Sequence, residues 1–299
     1  MTSDRRADPT EHLPNSYVSR RSTEAQAFSD WTKPAGALGE LTDEAFARAA
    51  TLRPSLDDLQ RRAIETNPRP SFAEALRKRN VAIIAEVKRS SPSKGVINPA
   101  IDVKQQVRAY EQGGAAAISI LTEPNRFGGS NADLEKARDA TQLPLLKKDF
   151  HVDPAQIFEA KALGASAALV IVRAIEPHRL QDLLDAGRAV GLEILVEVRD
   201  EAELELALIY QAQLIGINNR NLETLEIDSG TAPRLLPFIP KELVAVAESG
   251  VKTAADITRL AAAGADAVLI GSELSGSNDP EPAVQALTKI ERVGSARKG

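Results

Sequence analysis

The chain has 299 residues, three histidines, no cysteine and a formal net charge of −5 at pH 7. The lack of cysteine excludes disulfides, thiolate zinc sites, iron–sulfur clusters and a cysteine nucleophile. The three histidines are far apart in sequence and have no metal-ligand spacing. The acidic balance argues against nucleic acid and anionic membranes as partners. No apolar run approaches the ~20 residues of a membrane span, and the polar N-terminus lacks a signal-peptide core, so we expect a cytoplasmic protein.

The first 80 residues predict an extension followed by helices. Residues 1–40 mix charged, small and proline residues without periodicity, and we expect them to be mostly disordered. Residues 41–299 are interpreted as one domain. Helical patterns run over about 42–52 and 55–65, and a capping-box sequence begins a short helix over 71–78.

From Val81 onward, short apolar runs alternate with amphipathic helical segments. The predicted strands are Val81–Val87, Ala115–Leu121, Pro144–Phe150, Ala167–Val172, Leu192–Val198, Leu214–Asn218, Leu243–Ala247 and Ala267–Ile270. The predicted helices include Asp102–Gln112, Ala132–Ala140, Pro154–Leu163, Pro177–Val190, Glu201–Tyr210 and Ala254–Ala263. Strands that alternate with helices in this way are parallel, and each helix crosses back over the sheet.

Eight such units in ~220 residues predict an α/β fold, a (β/α)8 TIM barrel with extra N-terminal helices that cap the barrel. A doubly wound open sheet is the alternative. It is less favoured because no strand is followed by G-x-G-x-x-G and because the repeat count is eight.

Charged residues stand where these strands end, which is where barrels of this kind place their active sites. Side chains alternate between the two faces of a strand, so Glu86 and Lys88 point the same way. The predicted inward-facing set is Glu86, Lys88, Lys148, Glu197 and Glu248. Buried charges are tolerated when they are paired, and such a cluster shifts pKa values as acid–base catalysis requires. Asp149, on the opposite face of the third strand, is predicted to pair with a cation of the helix layer.

The loops after the seventh and eighth strands predict a phosphate site. Gly250 and Gly271 allow the backbone to approach an anion, and Ser272 follows at the start of a short helix. Lys88 and the loop over 91–94 are placed to close over the same anion.

Six motifs in the chain resemble the indole-3-glycerol phosphate synthase family, over about 69–287. They are Glu86-Val87-Lys88 with Ser91-Pro92-Ser93-Lys94-Gly95, Phe127-Gly128-Gly129-Ser130, Lys148-Asp149-Phe150, Leu195-Val196-Glu197-Val198, Gly216-Ile217-Asn218-Asn219-Arg220-Asn221-Leu222 and Glu248-Ser249-Gly250. The resemblance implies closure of an indole ring from 1-(2-carboxyphenylamino)-1-deoxyribulose 5-phosphate, with loss of carbon dioxide and water. It implies a small phosphorylated substrate and no metal or cofactor.

The resemblance also implies roles for the predicted catalytic residues. Lys148 is the expected general acid that protonates the ketone oxygen during ring closure. Glu197 and Glu86 match the carboxylates that serve the later dehydration, in an order that the sequence leaves open. Lys88 is a rival acid for either step and is expected to pair with Glu86.

The remaining site residues are assigned to the substrate. Glu248 and Asn218 are expected to orient the substrate hydroxyls and the lysine. The expected substrate-binding residues are Ser91 and Arg220 near the anthranilate carboxylate, Phe127, Phe150 and Leu169 around the aromatic ring, and Ser249. The expected phosphate ligands are Lys88, Gly250, Gly271 and Ser272. The helix over 71–78 matches the extra N-terminal segment that covers the barrel mouth in the family.

The chain departs from the family pattern at three places. Arg199 stands where His or Asn is common, His151 replaces an aliphatic residue, and 274–277 replace a Leu-Met-Arg sequence.

Two other functions compete with this interpretation. Phosphoribosylanthranilate isomerase is a sister barrel whose general base is a cysteine, which this chain lacks. A catalytically silent barrel that only binds a phosphorylated ligand would be expected to lose some of the charged strand-end residues. We expect a monomer or a weak homo-oligomer.

Overall fold

A closed barrel of eight parallel strands forms the centre of the molecule in the computed structural model, which describes residues 31–293 and residue 297. The strands are β1 (Ala82–Val87), β2 (Ala117–Leu121), β3 (Leu145–Lys148), β4 (Ala167–Ile171), β5 (Glu193–Val198), β6 (Leu214–Asn218), β7 (Val244–Glu248) and β8 (Ala267–Ile270). Each strand pairs with the next one along the chain, and β1 pairs with β8 to close the barrel. This confirms the predicted (β/α)8 architecture.

Helices surround the barrel and precede it. They are α1 (Gly36–Leu52), α2 (Leu56–Glu65), α3 (Phe72–Leu76), α4 (Val103–Gln112), α5 (Asn131–Ala140), α6 (Pro154–Ala162), α7 (Pro177–Val190), α8 (Glu201–Ile209), α9 (Thr231–Leu235), α10 (Ala254–Ala263), α11 (Ser272–Ser275) and α12 (Pro280–Gln285). Within the described part of the chain, none of them combines the length and the apolar character needed to cross a membrane.

Local sequence explains where the outer helices begin. An Asp, Ser or Thr precedes five of them and accepts a backbone N–H of the first turn, which satisfies a donor that the helix leaves unpaired. These residues are Asp102, Ser130, Asp153, Asp200 and Thr253. The strand residues are mostly buried and aliphatic, because helices cover the outer face of the barrel and side chains from the strands fill its interior.

The N-terminal helix begins earlier than the sequence predicts. Helix α1 begins at Gly36 rather than at Thr42, so the interpretation of residues 1–40 as disordered is wrong for 36–40. Two glycines obscure the amphipathic pattern, but Leu38 and Leu41 are buried and anchor this turn. Residues 1–30 of the predicted extension lie outside the described residues.

Helix α3 lies at the opposite end of the barrel from the one predicted. Its first residue, Phe72, and Leu76 are fully buried. The Phe72 and Ala73 N–H groups donate to the carboxylate of Glu193, the first residue of β5, at 3.0 and 2.7 Å. Because strands begin at the end that is remote from the active site, α3 closes the bottom of the barrel and not its mouth. Sequence pattern fixes the start of a helix but not which end of the barrel it covers.

Helix α1 is the N-terminal element that reaches the mouth. Arg48 donates to Asp149 at 2.7 Å, just beyond the end of β3, and Glu40 accepts from Arg126 in the loop after β2 at 2.5 Å. Leu41 lines the mouth pocket. Asp149 thus pairs with a cation outside the barrel, and Lys147 lies 4.0 Å from it on the same side.

Candidate active site

A pocket of about 140 Å³ opens at the C-terminal ends of the strands. It brings together all of the predicted site residues except Glu197, which lies beneath them. The residues that line it include Glu86, Lys88, Ser91, Phe127, Lys148, Phe150, Leu169, Asn218, Arg220, Glu248, Ser249, Gly250, Gly271 and Ser272. The strand order explains this convergence, because most of these positions lie near the C-terminal end of a strand or in the loop that follows it.

Lys148 lies between two buried carboxylates at the floor of the pocket. Its Nζ is 3.4 Å from Glu248 Oε2 and 3.6 Å from Glu197 Oε2. Asn218 Nδ2 donates to Glu197 Oε1 at 2.8 Å and fixes the direction of that carboxylate. Burial alone would lower the pKa of Lys148, but attraction to Glu248, Glu197 and Glu86 raises it above its usual value.

Glu248 is the carboxylate that lies nearer to Lys148. Its side chain is 2% exposed, and burial raises its pKa to about 8, although Lys148 opposes the shift and Glu197 and Glu86 add to it. Gly216 on the neighbouring strand leaves the space for this side chain, because a Cβ there would overlap the Glu248 carboxylate. A carboxyl group whose pKa lies near neutrality, next to an ammonium group, is suited to acid–base work.

Glu86 and Lys88 form a second ion pair on β1, with Oε1 and Nζ 2.9 Å apart. Burial would raise the pKa of Glu86, but Lys88 and then Lys148 outweigh it and hold the pKa below its usual value. Ser119 Oγ donates to the other carboxylate oxygen at 3.3 Å. Gly271 faces the pair, and a Cβ there would lie 2.7 Å from Lys88 Nζ.

The backbone that carries this pair is held by two buried hydroxyl groups. Ser275 Oγ and Tyr110 OH donate to the Glu86 carbonyl oxygen at 2.7 and 3.1 Å, and Lys88 N–H donates to Ser275 Oγ at 3.0 Å. Sequence reasoning noted Ser275 only as a departure from the family pattern. A serine in place of a large apolar residue is the signal that a hydrogen bond is made there.

Phe127 and Phe150 form the aromatic wall of the pocket, with ring centroids 6.3 Å apart and planes inclined by 42°. Glu123 holds the first of them, because its buried carboxylate accepts the N–H groups of 125, 126 and 127 at 2.7–2.9 Å. The Phe150 N–H donates to Asp149 at 2.8 Å. Leu41 and Leu222 also line the pocket, and sequence reasoning missed both.

The loops after β7 and β8 face the pocket with small residues. Ser249 and Gly250 both have left-handed backbone conformations, with φ of 63° and 77°. Ser272 begins α11, so its end of the helix also faces the pocket. The loop after β1 contacts α11, because Lys94 Nζ lies 2.9 Å from Glu273.

Arg220 is oriented by its own loop. Its backbone N–H donates to Asn218 Oδ1 at 2.9 Å, and its guanidinium donates to the carbonyl oxygen of Leu225 at 2.6 Å. In residues 31–293 and at 297, no group of three or more His, Asp or Glu side chains is arranged to hold a metal ion.

Solved structures with other activities share the fold. A 3-hexulose-6-phosphate synthase from Salmonella typhimurium matches with a TM-score of 0.56 and 13% identity, over 69% of this chain and 96% of that chain. A thiamine phosphate pyrophosphorylase from Pyrococcus furiosus matches with a TM-score of 0.53 and 15% identity, over 69% and 93%. At these identities the likeness shows the barrel fold alone.

Sequence comparison is more specific. The family model described as indole-3-glycerol phosphate synthase matches residues 42–287. Indole-3-glycerol phosphate synthase 1 of Streptomyces coelicolor is 47% identical over 264 residues, which are 88% of this chain and 98% of that protein. Indole-3-glycerol phosphate synthase of Dehalococcoides mccartyi is 47% identical over 215 residues, or 71% and 83%. Because these matches span most of the chain, it belongs to the indole-3-glycerol phosphate synthase family.

Proposed function

We propose that this protein is an indole-3-glycerol phosphate synthase, a carboxy-lyase of tryptophan biosynthesis. It converts 1-(2-carboxyphenylamino)-1-deoxyribulose 5-phosphate to indole-3-glycerol phosphate, carbon dioxide and water. The observation that carries this proposal is the buried Lys148 ammonium between Glu197 and Glu248, next to a second ion pair of Glu86 and Lys88. Two cations and three carboxylates at one barrel mouth match a reaction with several proton transfers.

Ring closure is the step that we assign to Lys148. The aromatic carbon that bears the carboxylate attacks the ketone carbon, a carbon–carbon bond forms, and the ketone oxygen takes a proton from Lys148 Nζ. The neighbouring carboxylates stabilise the positive charge that develops on the ring nitrogen. Carbon dioxide then leaves from the same aromatic carbon, and its bonding electrons restore the aromatic ring.

Dehydration is the step that we assign to the β1 pair. The hydroxyl group leaves as water after taking a proton from Lys88, and Glu86 accepts a proton from the ring methylene carbon. The lowered pKa of Glu86 supports its role as the base, because the carboxylate is ionised at neutral pH. The 2.9 Å contact between the two side chains lets the proton return from Glu86 to Lys88.

These assignments give the substrate one orientation in the pocket. We assign the phosphate to Gly250, Gly271 and Ser272, with Lys88 between it and the reacting carbons. The aromatic ring lies against Phe127, Phe150 and Leu169, with Ser91 and Arg220 near its carboxylate. Asn218, Glu248 and Ser249 orient the hydroxyl groups.

We also propose that the protein acts in the cytoplasm as a monomer or weak homo-oligomer, without a metal or cofactor. The test is formation of fluorescent indole product from the carboxyphenylamino-deoxyribulose phosphate in the presence of a chelator. Phosphoribosylanthranilate serves as the competing substrate for the isomerase alternative. The absence of indole product with chelator would refute the assignment, and ligand binding without turnover would favour the catalytically silent barrel.

A further inference from the structure

A second cavity, of about 150 Å³, is lined by Glu197 but not by Lys148. Its lining is mostly charged and polar, and includes Arg173, Glu197, Arg199, Asp200, Glu203, Asn218, Arg220, Asn221 and Glu223. An ion pair of Arg173 and Glu223 also lines the cavity, and these side chains are 28% and 26% exposed. A cavity of this size and polarity holds several water molecules. Glu197 lines this cavity and not the substrate pocket, although Ile171, Asn218, Arg220 and Leu222 line both.

The reaction consumes one proton in each turnover. Ring closure takes one proton for the ketone oxygen, and loss of carbon dioxide from a carboxylate takes none. Dehydration gives one proton to the leaving hydroxyl and recovers one from the ring methylene, so these two cancel. Lys148, as the donor in ring closure, is left uncharged and has to regain a proton that comes from solvent.

Glu203 is the residue in the second cavity that is suited to carry this proton. Its Oε2 accepts the Arg199 N–H at 2.7 Å, and Asp200 caps the same helix. Burial raises the pKa of Glu203 to about 8, with Asp200 and Glu197 adding to the shift, so the side chain is a carboxylic acid at neutral pH. The charged groups that face it are Glu197 from β5, Arg199 and Asp200 from the following loop, Arg173 from the turn after β4, and Arg220 and Glu223 from the loop after β6.

Glu197 is placed to pass a proton onward. Its Oε1 is held by Asn218, whereas its Oε2 is buried without a hydrogen-bond partner and lies 3.6 Å from Lys148 Nζ. A protonated Oε2 would therefore face the neutral Lys148 amine, which has to be reprotonated.

We infer that Glu203 is a relay residue that recharges Lys148 with a solvent proton through Glu197. Glu203 transfers its proton through cavity water to Glu197, Glu197 transfers a proton to the neutral Lys148 amine, and solvent reprotonates the Glu203 carboxylate. The atoms and charges balance with the single proton that the reaction consumes. This inference rests on the proposed role of Lys148, and Glu203 itself does not touch the substrate.

The substitution that tests the relay is Glu203→Gln, because glutamine keeps the volume and the oxygen that accepts the Arg199 N–H but carries no acidic proton. Glu205→Gln is the matched control, since Glu205 is exposed on the same helix two residues later. The assay mixes enzyme with excess substrate and follows product fluorescence from the first turnover. We expect Glu203→Gln to form one equivalent of product at the wild-type rate and then to turn over at least about tenfold more slowly. The wild-type steady-state rate should fall above pH ~8, and Glu203→Gln should lose this dependence.

Three results would overturn the relay. They are a wild-type time course for Glu203→Gln, a first turnover that is slowed as much as later ones, and an equal effect of Glu205→Gln. Lys148→Ala in a single turnover tests the underlying role separately. If that variant still closes the ring at the normal rate, the assignment of Lys148 fails whatever Glu203→Gln does.

Discussion

Substitution of Lys148 tests the chemistry most directly, because its ammonium both donates a proton and compensates two buried carboxylates. Its Nζ lies 3.4 Å from Glu248 and 3.6 Å from Glu197. At an effective dielectric of ~20, each attraction is worth about 5 kcal/mol. Loss of the donor itself costs at least ~10²-fold in rate, or about 2.7 kcal/mol of transition-state stabilisation. We therefore expect Lys148→Ala to lose at least ~10²-fold in kcat/KM and to raise the pKa of Glu248 further, because Lys148 opposes that shift.

Lys148→Arg separates these two effects. Arginine keeps the positive charge, but its guanidinium does not deprotonate in proteins, so it compensates Glu197 and Glu248 without acting as an acid. We expect Lys148→Arg to hold the pKa of Glu248 near its wild-type value and still to lose at least ~10²-fold in kcat/KM. Circular dichroism and urea unfolding verify that each variant is folded before its kinetics are compared.

The assay follows carbon dioxide and indole product separately in single turnovers. If Lys148 serves ring closure, Lys148→Ala releases neither product at the normal rate. Lys88→Ala, the matched variant, should release carbon dioxide normally and form indole slowly, because dehydration follows decarboxylation. Near-wild-type indole formation by Lys148→Ala would refute the reasoning, and the reverse pattern in the two variants would exchange their roles.

Two further predictions concern packing and pH. Gly271→Ala should lower kcat/KM by at least about tenfold in steady-state assays, because a Cβ there displaces Glu86 and Lys88; an unchanged kcat/KM would mean that the pair has room to move. His151 is fully buried with its pKa lowered from 6.5 to about 4, first by burial and then by Lys147. As the pH falls, the unfolded chain protonates His151 near pH 6.5, whereas the folded chain does so only near pH 4. The free energy of unfolding should therefore fall by about 3 kcal/mol between pH 6.5 and pH 4. His151→Leu should flatten this dependence in urea titrations, and an unchanged slope would assign it to other groups.

The barrel could be predicted from the sequence because the patterns that indicate its strands and helices are local. Buried strands are aliphatic runs, helices begin at capping residues such as Ser130 and Asp200, and the alternation of the two permits little besides parallel strands. The alternation of side chains along β1 also placed Glu86 and Lys88 on one face, and the 2.9 Å contact between them follows from that spacing.

The sequence did not indicate which end of the barrel a helix covers. Helix α3 carries the predicted cap at Ser71, but it packs at the start of β5 because Glu193, far along the chain, receives its N–H groups. The early start of α1 at Gly36 depends in the same way on burial of Leu38 against the folded barrel. Such contacts join positions that no local pattern connects.

By itself, the sequence determined the strand order, the chemical groups at each strand end and the family motifs, because these depend on side-chain periodicity and residue type. Only the tertiary structure decided the distances that give those groups different roles. Barrel closure brings Glu197 and Glu248 within 3.6 Å of Lys148, and it leaves a polar cavity that Glu197 and Glu203 both line. The pKa of a buried group depends on neighbours from several strands, so acid and base are distinguished only once the barrel has closed.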